Sequence, residues 1–396
     1  MKILVINCGS SSIKYKLYEM DNRQTLAAGG IEKIGLPGAF LKVKLNDGNS
    51  KVIEAEIPDH SVGIKMMFDA LLNEEYGAIR SLHEIDAAGH RIVHGGVFTK
   101  SRIVSDEMIE EWKQFMDLAP LHSYAHLKGY NAVKQQLPEL KQVFVFDTAF
   151  HQTMPDYAYM YALPYKYYVN DHIRRYGAHG TSHRYVTQRA AQVFGQMPER
   201  LITCHIGNGA SISAVKQGRC VDTSMGLTPL EGLMMGTRTG DIDSSAILTI
   251  MKKEGLTPDE ANDLLNKKSG MLGVTEISSD MREIEKACRE GNERAILGLK
   301  MYNYRIRKYI GAYAAAMGGV DALVFTAGVG EHQWDVRQGA LDGLQFLGIE
   351  LDQEKNKANH GEEEIISTPA SRVKVAVIPT DEEWMIASDT MDLIKG

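Results

Sequence analysis

Cysteine is scarce in this chain and badly placed for cross-linking: Cys8, Cys204, Cys220 and Cys288 lie far apart and form no Cys-x-x-Cys pair. A disulfide framework and a zinc knuckle are therefore excluded, and a reducing cytoplasm is the expected setting. No apolar run approaches the roughly 18 residues that a membrane span needs. No secretory leader precedes the first strand pattern, which begins directly after Met1. Basic blocks are also missing. With a net charge of −7 over 396 residues, nucleic acid and anionic membrane surfaces are poor partners. No Gly-Lys-Ser/Thr closes a Walker A loop, and Gly207-Asn208-Gly209 lacks the third glycine of a dinucleotide fingerprint. Nor does any low-complexity linker divide the chain, so two packed domains meeting near residue 150 suit a globular composition of this length.

What the chain has is one plan used twice. Ile3-Leu4-Val5-Ile6 is a buried-strand pattern that ends at Asn7 and runs into Cys8-Gly9-Ser10-Ser11-Ser12-Ile13-Lys14. Gly9 lets the backbone approach an anion, the serines supply hydroxyl and amide donors, and Lys14 supplies a compact positive charge. An ordinary hairpin turn reads the same way. The second copy tips the balance: Leu201-Ile202-Thr203-Cys204 ends at His205, then Ile206-Gly207-Asn208-Gly209-Ala210-Ser211 follows. Two such hairpins facing each other would clamp a polyphosphate from both sides.

Between them the chain alternates strands and helices, so the class is α/β with parallel strands. Residues 1 to about 58 read as a β-meander, with Asn46-Asp47-Gly48 as a hairpin signal. Strands are expected at 87–96, 143–148, 201–206 and 374–378. Helices are expected from near Ser61, over 105–118, 258–267, 280–290 and 293–316, and at the end of the chain. Ala322 to Glu331 reads as a strand running into a glycine loop. Polar side chains recur at strand ends (Asn7, Arg91, Asp147, His205, Glu382), where open α/β sheets bind ligands. Three histidine pairs, 90/94, 122/126 and 179/183, have i, i+4 spacing. The first lies in a strand, where four residues span about 13 Å, and none carries the glutamate of a zincin helix. Single histidines donating to phosphate are the better reading.

The motifs then resemble one family closely. Asn-Cys-Gly-Ser-Ser-Ser-Ile-Lys (7–14), Gly-His-Arg-Ile-Val-His-Gly-Gly (89–96), Ala-Pro-Leu-His (119–122), Phe-Asp-Thr-Ala-Phe-His (146–151), His-Gly-Thr-Ser-His (179–183), His-Ile-Gly-Asn-Gly-Ala-Ser (205–211), Met-Gly-Thr-Arg-Thr-Gly-Asp-Ile-Asp (235–243) and Asp-Glu-Glu (381–383) run in the order of the acetokinase family. That family belongs to the superfamily of acetate and sugar kinases, heat-shock ATPases and actin.

The resemblance implies two tandem ribonuclease-H-like (actin-like ATPase) domains with a nucleotide cleft between them. Residues 1–150 would form the acyl and metal side, completed by a helix at 384–396. Residues 151–383 would bind nucleotide and carry a homodimer contact, with domain closure around the nucleotide. The implied reaction is reversible in-line transfer from ATP to acetate, giving acetyl phosphate and ADP. By resemblance Arg91 and Arg238 hold the carboxylate and the phosphoryl group in flight, His179 donates to its oxygens with His122 nearby, and Asp147 is the catalytic carboxylate. Asn7 and Glu382 would position Mg²⁺, for which Mn²⁺ could substitute. Nucleotide contacts carry over to Ser10, Ser12, Lys14, His205, Ile206, Gly207, Asn208, Gly209, Asp280, Met281, Arg282, Gly328, Val329, Gly330, Glu331 and His332. The acyl pocket carries over to Val93, Leu121, His122, Ala178 and Pro229.

An acid acceptor needs no base. A carboxylate with a pKa of about 4 to 5 is already an anion at neutral pH, so the work is charge neutralisation by arginine, histidine and metal. Asp147 is thus expected to orient an arginine or a metal-bound water. The chain also departs from the family, which usually has Phe at position 178, Asn-Pro at 123–124 and Asn at 332, where this chain has Ala178, Ser123-Tyr124 and His332. Loss of the ring either enlarges the pocket toward propionate or butyrate or is refilled by Tyr124 or another ring, leaving acetate preferred. His332 keeps a pyrophosphate donor in view, and a non-catalytic actin-like assembly protein is the alternative of a different class.

Overall fold

The computed structural model describes residues 1–44 and 48–396, apart from the Leu121 side chain. Asn46 and Asp47 of the expected hairpin turn lie outside the described residues. The chain divides into two units, Met1–Ala149 with Asp381–Gly396, and Phe150–Thr380.

In the first unit a sheet runs in the order β5-β4-β3-β2-β1-β6-β8-β7. Its strands are β1 (Lys2–Cys8), β2 (Ser12–Glu19), β3 (Gln24–Glu32), β4 (Phe40–Lys44), β5 (Ser50–Glu54), β6 (Ala87–Ile92), β7 (Arg102–Ile103) and β8 (Lys141–Phe146). The meander β1 to β5 is antiparallel, whereas β1, β6 and β8 are parallel. A parallel central strand is covered on both faces and reads as an unbroken apolar run, which is why Ile3 to Ile6 do not alternate with polar residues. Leu4 and Ile6 pack with Ile64, Phe68 and Val133 on one face. Ile3 and Val5 pack with Val143 and with Ile386 and Ala387 on the other. Those last two residues belong to the helix Glu382–Lys395, which returns from the far end of the chain. It comes close enough to β6 that a Cβ on Gly89 would lie 2.3 Å from Thr390 Oγ1.

The second unit repeats the plan in the order β11-β10-β9-β12-β14-β13, with β9 (Arg200–Ile206), β10 (Ala210–Lys216), β11 (Arg219–Thr223), β12 (Ala322–Thr326), β13 (Glu364–Ile365) and β14 (Lys374–Val377). Again the first three strands are antiparallel and the parallel strands β12 and β14 continue the sheet from β9. Ile202, Cys204, Leu323 and Phe325 face the long helix Glu293–Met317, and Leu201 and Val324 face the helix Gly180–Val193. This repeated α/β order is the actin-like architecture.

Four elements differ from the sequence reading. The helix expected over 105–118 stops at Lys113, and a separate 3-10 turn follows at Met116–Leu118. β6 stops at Ile92, because the chain turns at Val93 and the following glycines close on aromatic rings: a Cβ on Gly95 would lie 2.7 Å from Phe146. Residues 327–332 form a short helix, Ala327–His332, entered through Ala327 at a φ of 64°. The final helix begins at Glu382, where Asp381 caps it by accepting from Trp384 N. Among the described residues no helix is long and apolar enough to cross a membrane.

Candidate active site

In the first unit the polar strand ends converge. Ile6 pairs with His90, and Ile92 with Phe146, so Asn7, Arg91 and Asp147 lie at the carboxyl ends of three adjacent parallel strands. Asp147 is fully buried, and its Oδ2 accepts from Arg91 Nε at 3.0 Å and from Nη2 at 2.6 Å. Glu382 Oε2 stands 4.0 Å from Arg91 Nε. The pair raises the arginine's affinity for its proton, Asp147 contributing most. Burial, with Asp147 and Glu383 nearby, pushes the Glu382 carboxyl up to about 7 against the pull of Arg91. Asp147 and Glu382 therefore share the Arg91 guanidinium, while Glu383 is paired with Lys16 at 3.5 Å.

Asn7 and Lys14 are register partners across β1 and β2. Both line a groove of about 630 Å³ on the open face of the meander, together with Lys16, Lys42, Lys44 and Glu383. The turn between them is closed by Gly9 N donating to Ser12 O at 2.8 Å and pinned by His60 Nε2 donating to Gly9 O at 2.8 Å. Ser10 is exposed and Ser12 half-buried.

In the first two histidine pairs, His90, His94 and His126 are structural. His90 is buried against Gln142, and burial pulls its pKa down to about 4. His94 Nδ1 accepts from Gly96 N, and His126 Nε2 accepts from Val93 N at 3.1 Å. His122 is exposed beside it on the helix Pro120–Gln136. Val93 is half-buried, while Tyr124 remains 54% exposed and so is not a packed ring.

In the second unit His179 caps the helix Gly180–Val193 in the left-handed region, at φ 57° and ψ 23°. A non-glycine residue held there costs about 1 kcal/mol, and the ring is secured on two sides. Its Nδ1 lies 2.9 Å from Ser211 Oγ, and its face stacks on His205 at 4.1 Å. His205 is itself fixed by Ser182 Oγ at 2.8 Å. Arg238 arrives from the segment after the second hairpin, and its Nη1 donates to Pro229 O at 3.1 Å. Among the described residues no carboxylate pairs with it, and burial lowers its affinity for its proton. Gly209 is the meeting point, since a Cβ there would lie 3.5 Å from Arg238 Nη1 and 3.6 Å from His179 Nε2. The Nε2 of an imidazole and a guanidinium without a carboxylate partner among the described residues thus meet over bare backbone, an arrangement that receives an anion. Ala178, just before His179, is buried, and its carbonyl accepts from His151 Nε2 at 3.0 Å.

A second pocket of about 510 Å³ opens in this unit, lined by Gly207, Asn208, Asp280, Met281, Arg282, Gly328, Val329 and His332, with Ser279 and Gln333 in addition. Asp280 also caps the helix Met281–Arg289 by accepting from Arg282 N at 2.9 Å. The Arg282 guanidinium holds the Asp280 carboxyl down to about 2. Ile206, Gly330 and Glu331 do not line this pocket. Ile206 is a core residue of β9, and Glu331 Oε1 accepts from Ala327 N at 2.7 Å and Thr380 N at 3.1 Å, tying the strand ends together. Beneath the pocket lies Arg337, fully buried and unforeseen from sequence. Its five N–H groups reach Gly330 O, Glu331 O, Asn356 Oδ1, Asn356 O and Asn359 O, so the fork is fully used in holding the pocket wall.

A model of the acetokinase family matches residues 2–388. The acetate kinase of Bacteroides thetaiotaomicron is 60% identical over 398 residues, covering 100% of both chains. The crystal structure of Porphyromonas gingivalis acetate kinase matches with a TM-score of 0.96 at 53% identity, over 99% of each chain. A propionate kinase structure from Francisella tularensis subsp. tularensis matches with a TM-score of 0.92 at 41% identity, again over 99% of each. With matches that run the length of the chain and a two-sheet architecture in common, this protein belongs to the acetokinase family.

Proposed function

We propose that the chain transfers the γ-phosphoryl group of ATP to acetate, reversibly and in line, giving acetyl phosphate and ADP. The observation that carries this reading is the Arg238 guanidinium, without a carboxylate partner among the described residues, beside the outer nitrogen of His179. It occurs in a chain whose relatives at 53–60% identity are named acetate kinases.

In this reading the Gly207–Asn208, Asp280–Arg282 and Gly328–His332 pocket holds ATP, with Ser279 and Gln333 added to its wall. Arg238 and His179 neutralise the phosphoryl group as its bonds loosen, and Arg91 holds the acid. Asp147 fixes the plane of the Arg91 fork and abstracts no proton, since the acceptor arrives ionised. Ser10, Ser12 and Lys14 meet the polyphosphate, and Val93, Leu121, His122, Ala178 and Pro229 bound the acyl group.

The acidic cluster fits a divalent cation. Mg²⁺ keeps most of its waters and takes one or two protein oxygens; among the described residues no three metal-binding side chains gather at one point. Asn7 and Glu382 would hold it, Glu382 being a buried carboxyl whose pKa burial raises, with Asp147 and Glu383 adding to the rise. When bound, the ion shields the charge of the β- and γ-phosphates.

Trapping of acetyl phosphate as its hydroxamate from MgATP and acetate tests the function. Absence of product while pyrophosphate or a C3 or C4 acid supports it would overturn the reading. A propionate preference has one observation in its favour, the small Ala178, but a single methylene is worth only about 1–3 kcal/mol, and the 53–60% relatives carry the name of the acetate enzyme. The homodimer of the family belongs to the same proposal, and light scattering at twice the chain mass checks it.

A further inference from the structure

His183 sits in the first turn of the helix Gly180–Val193, and nothing in the transfer reaction uses it. Its Nδ1 lies 2.7 Å from Thr203 Oγ1 and its Nε2 lies 2.8 Å from Ser211 Oγ. The same Ser211 oxygen lies 2.9 Å from His179 Nδ1. Thr203, His183 and Ser211 are all fully buried, so water cannot complete their hydrogen bonds.

Counting protons along this line leaves one consistent order. Burial, reinforced by His151 and His205, holds His183 far below the usual imidazole value, so the ring is neutral and owns a single N–H. Thr203 Oγ1 has no other hydrogen-bond partner among the described residues. A buried hydroxyl proton left undonated costs more than an unused lone pair, so Thr203 donates to His183 Nδ1. The His183 proton is then on Nε2 and goes to Ser211 Oγ. Ser211 has one proton to give and one acceptor left, His179 Nδ1. In the neutral His179 ring the proton therefore resides on Nε2, the nitrogen beside Gly209 and Arg238.

We infer that Thr203, His183 and Ser211 form a one-way hydrogen-bond relay that fixes His179 as its Nε2–H tautomer, with the donor aimed where the phosphoryl oxygens are received. The relay's existence follows from the contacts; its use rests on the role given to His179 above. His179 is the catalytic residue, and the other three are positioning residues. A free imidazole would divide its proton between both nitrogens, and a ring with a bare Nε2 would turn a lone pair toward the incoming oxygens.

Nitrogen NMR of the full chain labelled with ¹⁵N-histidine reads the tautomer without turnover. The expected wild-type spectrum has His179 protonated at Nε2 only. Thr203→Val keeps the shape and removes the hydroxyl, and with Ser211→Ala it should give mixed tautomers and a kcat lower by about fivefold, the worth of one neutral hydrogen bond. KM for MgATP should stay within about twofold, as for an interaction used in the transition state. Thr203→Ser should restore both tautomer and rate. A wild-type His179 protonated at Nδ1, or a Thr203→Val variant with unchanged tautomer and rate, overturns the relay. If the tautomer is as stated but His179→Ala keeps full kcat, the relay stands and its catalytic use is overturned.

Discussion

The turn between β1 and β2 spans Gly9 to Ser12, whereas the turn between β9 and β10 spans only Gly207 to Gly209. Around the first, hydroxyls and the exposed Lys14 stand on the hairpin itself, and Asn7 is Lys14's register partner. Around the second, the hairpin offers a glycine-flanked backbone, held by Gly236 N donating to Asn208 O at 3.0 Å. Its charge comes from elsewhere: Arg238 from the segment beyond, His179 from the cap of a helix. A repeat preserved as a backbone shape has thus been filled in two ways. One copy carries its own cation, and the other is a bare floor on which distant side chains are assembled. The two arginines show the same division, since Arg91 is committed to Asp147 while Arg238 donates to the Pro229 carbonyl and the Met235 sulfur and, among the described residues, to no carboxylate.

That contrast can be broken most sharply at the arginines. Arg238→Ala should lower kcat/KM by about 10³-fold, the scale of a guanidinium lost from a phosphoryl-transfer site, with little change in Tm because no buried carboxylate is orphaned. Arg91→Ala should lose activity on a similar scale and also destabilise the fold by about 3 kcal/mol, because Asp147 is left charged and buried; equal Tm values for the two variants would remove the distinction. Asp147→Asn tests orientation against proton abstraction: a loss within about tenfold is expected if the residue only orients Arg91, since one charge-assisted bond is weakened, and complete inactivity would count against that role. At the hairpins, Gly209→Ala introduces a methyl that meets no atom closer than 3.5 Å, so thermal melting should be unaffected while kcat falls about tenfold through intrusion on the anion's seat. Gly9→Ala should do the smaller, opposite thing. Its methyl would stand 2.9 Å from Ser12 Oγ, a hydroxyl that can rotate away, so a slight drop in Tm of about 1–3 °C with kcat nearly intact is expected.

Much of this was legible in the sequence because central parallel strands cannot hide: Ile3 to Ile6 and Leu201 to Cys204 are buried on both faces and read as runs. The polar residue ending each run marked the ligand side of the sheet. Legibility failed where long-range contacts decide. Gly328 and Gly330 read as a loop, yet Ala327–His332 is helical because Glu331 turns inward to accept from Ala327 and Thr380. Arg337 lies in the helix Trp334–Leu341, which was not foreseen; carbonyls from residues 330–359 account for its burial. A helix start at residue 280 was legible, and its place beside Gly207 and Gly328 makes Asp280 part of a pocket. His179 and His183 were noticed as a spaced pair, but the serine that joins them comes from another strand.

The helix Glu382–Lys395 has a consequence for synthesis. It covers Ile3, Val5 and Val143, so the first unit cannot close its second face when its sheet leaves the ribosome. At about 5–20 residues per second, that apolar face waits on the order of 10–50 s for its cover. During that interval a nascent chain would present an open sheet to chaperones or to its neighbours, and the second unit would complete before the first.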